Sequence, residues 1–272
     1  MPASARPERR RRPPAIVIVG AAVALAFIVL PLAALLLRVP WPDLPRLLAS
    51  PAVLQALGLS VLTASVSTLV CILFGVPLAV VLAHADAWRA LPRRILRTAV
   101  TIPLVLPPVI GGIALLMLFG RRGALGSTLS DLGLMLPFTT PAVVIAQTFV
   151  ALPFLVFAVE GTLRTVDRRM EAAAATLGAN RIQTFLLVTV PSLAPAIVAG
   201  AVLCFTRALG EFGATITFAG SLPGVTRTLP IASYLALQSD PGEAMALAIV
   251  LLAVSVAALL MLRDRWLPGV AR

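Results

Sequence analysis

The sequence predicts an all-α integral membrane protein with six transmembrane helices and one additional helix on the cytoplasmic side. Of its 272 residues, 60% are hydrophobic and 12% are charged, whereas a soluble domain has about 45–50% apolar and about 25% charged residues. Six apolar segments are long enough to cross the bilayer core, which takes about 20 helical residues. Clusters of arginine separate these segments. Apolarity, segment length and charge placement therefore all indicate helices that span a membrane.

The six predicted spans are joined by more polar connections. They are residues 15–37, 57–83, 98–119, 141–159, 186–209 and 244–262. Four arginines at 9–12 precede the first span, as in a signal peptide, but its apolar run is too long and no small-x-small cleavage site follows before Arg38. We therefore expect a retained span. The chain divides into a basic cytoplasmic tail (1–14), a first helix with an outer loop (15–55), a domain of five further helices (56–262) and a second cytoplasmic tail (263–272).

The arginines also predict the orientation of the chain. With both termini in the cytoplasm, 16 of the 22 basic residues, all of them arginine, fall on the inner side, as the positive-inside rule requires. Because they are dispersed between spans and do not converge on one face, the net charge of +11 does not predict a nucleic-acid partner. We expect a multi-pass protein in contact with the lipid of a bacterial inner membrane.

The sequence offers little for catalysis or metal binding. Cys71 and Cys204 lie inside apolar runs and fit neither a disulfide framework nor a metal-ligand spacing, so we expect two small buried side chains. The single histidine, His84, falls at the cytoplasmic end of the second span. Without a lysine the chain cannot form a GxxxxGK phosphate loop. We predict no catalytic residue, metal site or cofactor here, and ATP hydrolysis would require a separate chain.

Small and hydroxyl-bearing residues recur at helical spacing in the second span. Ser60, Thr63 and Ser67 share a face with Ala56 and Ala64. Such a face is typical of close helix–helix contacts in membranes. We expect it to pack against another span.

Prolines and glycines are concentrated in the third and fifth spans. The third span carries Pro103, Pro107, Pro108, Gly111 and Gly112, and the fifth carries Pro191, Pro195 and Gly200. Proline bends a helix and frees carbonyl groups that neighbours or a wet cavity must satisfy. Two interpretations stay open: these residues make packing kinks, or the two spans line a path that changes shape.

One charged pair lies near the predicted outer end of the fifth span. Arg207 and Glu211 are four residues apart, so they share a helix face. Ionisable groups at membrane depth are costly and usually paired. The pair either anchors the helix end as a self-neutralising ion pair or attracts an anion at the mouth of a path.

The cytoplasmic segment between the fourth and fifth spans is too polar to cross the membrane. Apolar residues recur at steps of three and four while charged residues take the other face, which predicts an amphipathic helix of about three to four turns. The apolar set is Leu163, Val166, Met170, Ala173 or Ala174, and Leu177; the charged set is Arg164, Asp167, Arg168 and Glu171. Gly178 can end this helix, and Asn180 begins the next stretch. Such a helix receives a partner protein or lies on the membrane surface.

This segment resembles the shared loop of the permeases of binding-protein-dependent ABC importers. That loop reads EAA, three residues, glycine, nine residues, then hydrophobic–x–hydrophobic–proline. Here Glu171 is followed by four alanines, and Gly178 is followed at the same distance by Pro191. The glutamate stands one residue further from the glycine than in the family's loop. The resemblance implies that residues 171–178 dock in a cleft of a cytosolic ATPase. The implied coupling residues are Glu171, Ala172, Ala173, Ala174, Gly178 and Pro191.

Two more stretches are similar to the molybdate-type permeases of this family. One is PLVLPP at 103–108; the other is RALGEFGATI at 207–216, continuing to Gly220 and to TRTLP at 226–230. The resemblance, which covers about residues 56–262, implies a pathway or gate built from both stretches. The implied pathway residues are Pro103, Pro107, Pro108, Gly111, Arg207, Glu211 and Gly213.

The resemblance implies a type I ABC importer architecture that carries molybdate or tungstate. It implies a second permease copy in a homodimer, a cytosolic ATPase dimer that binds ATP and Mg²⁺, and a periplasmic or lipid-anchored oxyanion-binding protein. A sulfate or thiosulfate importer is the nearest alternative, because the sulfate permeases share the Gly-Glu-aromatic-Gly core. A stand-alone secondary anion transporter would need ionisable groups near the midplane, and the spans offer almost none.

Overall fold

The computed structural model describes residues 14–85, 88–165 and 169–261, and the regular elements in these ranges are all helical. In chain order they are α1 (Ala15–Arg38), α2 (Leu44–Leu48), α3 (Pro51–His84), α4 (Ala90–Val105), α5 (Pro108–Phe119), α6 (Gly126–Asp131), α7 (Thr140–Leu163), α8 (Arg169–Thr176), α9 (Arg181–Thr184), a π-helical turn (Phe185–Thr189), α10 (Val190–Leu209), α11 (Gly213–Phe218), α12 (Leu229–Ala236) and α13 (Pro241–Leu260). Nearly all of both predicted tails lies outside the described residues, as do Val166, Asp167 and Arg168.

The predicted set of membrane helices is confirmed by length and composition. Five helices of the described chain could each cross a membrane: α1, α3, α7, the continuous helix Arg181–Leu209 and α13. A sixth crossing is obtained if α4 and α5 are taken together as one broken span. The second span begins six residues earlier than predicted, because the Ser50 hydroxyl accepts a hydrogen bond from the Val53 amide and Pro51 occupies the first turn.

The third predicted span is not one helix. α4 and α5 are bent by 117° at a break after Val105. Leu106 and Pro107 have extended backbone, with ψ of 129° and 133°, because a residue that precedes proline is disfavoured in the helical region. Pro108 then starts α5 at a position where no amide is needed. The consecutive prolines therefore end one helix and begin another in a new direction.

The core is made by α3, α7 and α10, which pack against one another. The predicted hydroxyl face of α3 is buried in this contact: the Ser67 hydroxyl lies 3.1 Å from the carbonyl oxygen of Val144 on α7. Cys71 and Cys204 are free and buried in the same core, as predicted. By contrast, α1 contains no buried residue and contacts α13.

Two short helices between α10 and α13 were not expected from the sequence. α11 packs on α5 and α7, and α12 packs on α13 and α3. The Ser60 hydroxyl accepts a hydrogen bond of 2.7 Å from the amide of Leu229, which opens α12. α11 and α12 therefore lie on the predicted outer side, where they pack on α3, α5, α7 and α13.

Only part of the helix predicted between the fourth and fifth spans lies within the described residues. α8 comprises the eight residues Arg169–Thr176, and the residues 166–168 before it are outside the described ranges, so the expected length of three to four turns stays a prediction. Leu163 belongs to the end of α7, and the backbone turns at Arg164 and Thr165. The sequence pattern ran across this turn because side-chain spacing does not show where the chain changes direction.

Candidate functional site

The candidate coupling site is the segment from α8 to the start of α10. α8 presents Ala172, Ala173 and Ala175 on its exposed surface, with Leu177 89% exposed just beyond its end. Met170 and Ile182 are also more than half exposed. Apolar side chains gathered on one exposed surface mark an interaction site. α8 and its flanks therefore form a surface suited to a protein partner.

Gly178 ends α8 as the sequence predicted. Its φ of +87° lies in the left-handed region that glycine adopts without strain. The amide of Ala179 then donates to the carbonyl of Ala174, and the amide of Gly178 donates to that of Ala175. Asn180 starts α9 with a capping box, in which its side chain and that of Gln183 each accept from the other's amide. The two helices are thus separate rigid units joined by a glycine turn.

Pro191 lies within the long helix Arg181–Leu209, directly after the π-helical turn. A proline ring inside a helix clashes with the carbonyl four residues earlier and donates no hydrogen bond. Here the turn before it is widened, and the Val190 amide donates to the carbonyl of Phe185, five residues back. The wider turn accommodates Pro191 without breaking the helix.

Two acidic side chains of this region make specific contacts. Glu171 Oε1 accepts a hydrogen bond of 2.7 Å from the Thr189 hydroxyl. Glu160, only 4% exposed at the end of α7, is paired with Arg97 of α4 and lies 2.9 Å from Nη2 of Arg164. Sequence reasoning missed the role of Glu160. Its spacing of four residues from Arg164 was the available signal, but Arg97 is distant in sequence.

The candidate pathway residues Pro108, Gly111 and Gly213 lie where α5, α11 and α7 meet. A β-carbon on Gly213 would lie 3.0 Å from the Cβ of Pro108, and one on the neighbouring Gly112 would lie 2.8 Å from the carbonyl oxygen of Ala214. Glycine therefore lets α5 and α11 approach to backbone contact. Gly111 faces the ring of Phe149 on α7 in the same way.

The remaining pathway candidates on α4 and at its end are not drawn into this contact. Pro103 is half-buried within α4, and Pro107 is exposed at the break between the two helices. Pro107 sets the direction in which α5 leaves α4. The structure thus brings together one part of the predicted set and leaves Pro103 and Pro107 at the bend.

Arg207 and Glu211 form the ion pair that their spacing predicted. Nη1 of Arg207 lies 2.7 Å from Oε2 of Glu211, with the two side chains 27% and 1% exposed. The other carboxylate oxygen accepts a hydrogen bond of 2.8 Å from the Ala214 amide in the first turn of α11. The pair therefore fixes the junction between α10 and α11, beside the contact of Gly213 with Pro108.

A buried amide on α7 is a second polar feature that the sequence reasoning did not single out. Gln147 is fully buried and lies 3.2 Å from the Ser67 hydroxyl through its Oε1, while its Nε2 has no hydrogen-bond partner. Among residues 14–85, 88–165 and 169–261, no group of three His, Cys, Asp or Glu side chains could hold a metal ion. Apart from Nε2 of Gln147, the polar groups described in this subsection bind one another and hold helices together.

A family model for "Binding-protein-dependent transport system inner membrane component" matches residues 75–268, more than half of the chain. The chain belongs to this family. The "Molybdenum transport system permease protein ModB" of Mycobacterium tuberculosis is 50% identical over 242 residues, which cover 89% of this chain and 90% of that protein. The protein of the same name from Escherichia coli is 38% identical over 220 residues, covering 80% and 94%. The "Sulfate transport system permease protein CysT" of Escherichia coli is more distant, at 34% over 233 residues, covering 84% and 83%.

Solved structures show the same fold. A chain of the bacterial alginate ABC transporter, in complex with its alginate-bound periplasmic protein, superposes with a TM-score of 0.68. It is 18% identical, and the match covers 91% of each chain. The predicted architecture of a type I ABC importer permease is therefore confirmed, and the family membership makes this chain a multi-pass inner-membrane component of a binding-protein-dependent importer.

Proposed function

We propose that this chain is the permease subunit of a molybdate or tungstate importer, driven by a separate ATPase. The observation that carries the proposal is the 50% identity over nearly its whole length to a permease named for molybdenum transport. The sulfate permease CysT is less similar. The subunit itself would perform no chemistry; its task is to open and close a path.

The coupling segment is the evidence for our proposal that the partner is an ATPase. α8 carries exposed alanines and ends at Gly178, so its backbone can lie close to the wall of a cleft at these positions. The apolar residues Leu177 and Ile182 flank it and would be covered on docking. We propose that a cytosolic ATPase dimer binds this surface on each of two permease copies, with both chain termini on the same side.

The junction between α10 and α11 is the evidence for our proposal that the path lies near α5. The ion pair Arg207–Glu211 connects the far end of the long helix Arg181–Leu209 to the layer that packs on α5. A tilt of that helix would therefore displace α11 and, through Gly213, the start of α5. We propose that this linkage opens the path between two permease copies towards a binding protein outside. ATP-driven closure of the ATPases would supply the movement.

Uptake in proteoliposomes tests this function. The vesicles hold this chain, its candidate ATPase and its oxyanion-binding protein, with labelled molybdate outside and ATP on the ATPase side. We expect uptake that requires ATP hydrolysis and is blocked by excess tungstate but not by excess sulfate. Vesicles with an ATPase variant that binds but does not hydrolyse ATP are the matched control. Uptake that sulfate abolishes would indicate a sulfate importer, and uptake without ATP would indicate a secondary transporter.

A further inference from the structure

The hydrogen bond between Glu171 and Thr189 joins α8 to the base of the fifth span across 18 residues of sequence. Thr189 is 6% exposed and Glu171 is half-buried, so the bond lies partly away from water. The glutamate stands one residue further from Gly178 than the family's general pattern has it. One residue turns a side chain by about 100° around a helix axis. A rotation of this size accords with the position of the Glu171 carboxylate, which points towards Thr189.

The covalent connection between α8 and α9 is a glycine turn. It passes through Gly178 in the left-handed region, and nothing lies within 4 Å of the place where its β-carbon would be. Asn180 then starts an independently capped helix. Local backbone hydrogen bonds close this turn, from Ala179 to Ala174 and from Gly178 to Ala175. The Glu171–Thr189 bond adds a side-chain connection that runs directly from α8 to the base of the fifth span.

Thr189 is placed where a pull on its side chain acts on the long helix. It is the last residue of the π-helical turn, just before Pro191. π turns interrupt the regular hydrogen-bond register of a helix and occur frequently at functional sites. A force at Thr189 therefore acts on the widened π-helical turn. This turn precedes the part of the long helix that carries Arg207.

We infer that Glu171 is a positioning residue that acts inside this chain: its bond to Thr189 carries the displacement of α8 to the π-helical turn and so to α10. The inference rests on the proposed function, because it assigns the step between ATPase closure and movement of the fifth span. It gives Glu171 a partner within the permease, where the family resemblance implied a residue that only docks on the ATPase.

The test compares variants that lose the bond with variants that keep it, in the reconstituted importer. Thr189→Val removes the hydrogen-bond donor and Glu171→Ala removes the acceptor. Thr189→Ser keeps a hydroxyl donor, and Glu171→Gln keeps an oxygen acceptor. Thr101→Val is the matched control, since the Thr101 hydroxyl only bonds the carbonyl of Arg97 in its own helix. The measured quantity is the number of ATP molecules hydrolysed per oxyanion taken up, with ATPase copurification as the check on assembly.

We expect Thr189→Val and Glu171→Ala each to raise this ratio by about three- to tenfold, the range for the net contribution of an ordinary hydrogen bond. The double variant should be no worse than either single variant, because both remove the same interaction. Thr189→Ser, Glu171→Gln and Thr101→Val should stay near the wild-type ratio. If Thr189→Val transports with the wild-type ratio, or if Glu171→Gln is as impaired as Glu171→Ala, the inference is wrong.

A second measurement separates this inference from the proposed function. The Thr189 hydroxyl also lies 3.5 Å from the carbonyl oxygen of Thr184, a contact that Glu171→Ala leaves in place. Hydrogen exchange of the amides at 185–190, in the full chain bound to its ATPase, should therefore be faster in Glu171→Ala than in wild type or Thr101→Val. Unchanged exchange would overturn the inference whatever the substrate. If the wild-type complex takes up no molybdate but exchange is faster in Glu171→Ala, only the proposed substrate is overturned.

Discussion

Replacing Gly112 by alanine tests the contact between α5 and α11 on which the candidate pathway depends. The added β-carbon would lie 2.8 Å from the carbonyl oxygen of Ala214 and 2.8 Å from the Cβ of Thr217. The carbonyl belongs to the backbone of α11, so the clash can be relieved only by moving one helix away from the other.

The size of the effect follows from two opposing contributions. Overpacking of a tight contact costs about 1–3 kcal/mol, while alanine is favoured over glycine inside a helix by about 1 kcal/mol. Gly58→Ala is the matched control, because it adds the same methyl group to helix α3 with nothing within 4 Å. Gly112→Ala should therefore be less stable than Gly58→Ala by about 1–3 kcal/mol.

Titration of the purified chain with sodium dodecyl sulfate in mixed micelles, followed by circular dichroism, measures this difference. Gly111→Ala provides an intermediate case, since its β-carbon would meet the ring of Phe149 at 3.0 Å and a ring can shift. We expect Gly58→Ala to be the most stable variant, Gly111→Ala to be intermediate and Gly112→Ala to be the least stable. If Gly112→Ala matched Gly58→Ala, α5 and α11 would not be in backbone contact and the argument for a linked path would fail.

Three further predictions concern the charged and docking residues. Glu160→Gln should destabilise the chain by about 1–2 kcal/mol in the same titration, because two partly exposed arginines lose the buried carboxylate that pairs with them. An unchanged unfolding midpoint would contradict the pairing. Arg207→Ala should be more destabilising than Glu211→Gln, by about 1–3 kcal/mol, because it leaves a buried carboxylate without its charge partner, and the reverse order in the titration would refute this. Ala174→Arg should abolish ATPase copurification and ATP-dependent uptake, whereas Ala174→Ser should retain both; normal coupling in the arginine variant would exclude docking at α8.

The membrane helices were predictable because a bilayer sets the length of an apolar helix. Arginine placement predicts their orientation, which stays a prediction. Gly178 and Asn180 were predictable as helix boundaries for local reasons: a left-handed residue and a side-chain cap are properties of a few neighbouring residues. The hydroxyl face of α3 was likewise visible from helical spacing alone.

The features that sequence reasoning missed depend on directions and distant partners. The prolines at 107 and 108 showed that the third span would bend, but the angle of 117° depends on how α5 packs against α11 and α7. Glu160 lies 63 residues from Arg97, so no local pattern joins them. α11 has only six residues, too few for helical periodicity to distinguish it from a loop.

The exposed apolar surface around α8 has a consequence for the synthesis of this protein. Leu177, Met170 and Ile182 are exposed in the single chain, and exposed apolar groups of this kind promote aggregation until a partner covers them. If the proposed ATPase docks here, a permease copy made in excess of it would display this surface on the predicted cytoplasmic side, where soluble proteases and chaperones work. The residues that dock the partner would then also mark an unassembled copy for removal, and degradation would balance the numbers of the two subunits.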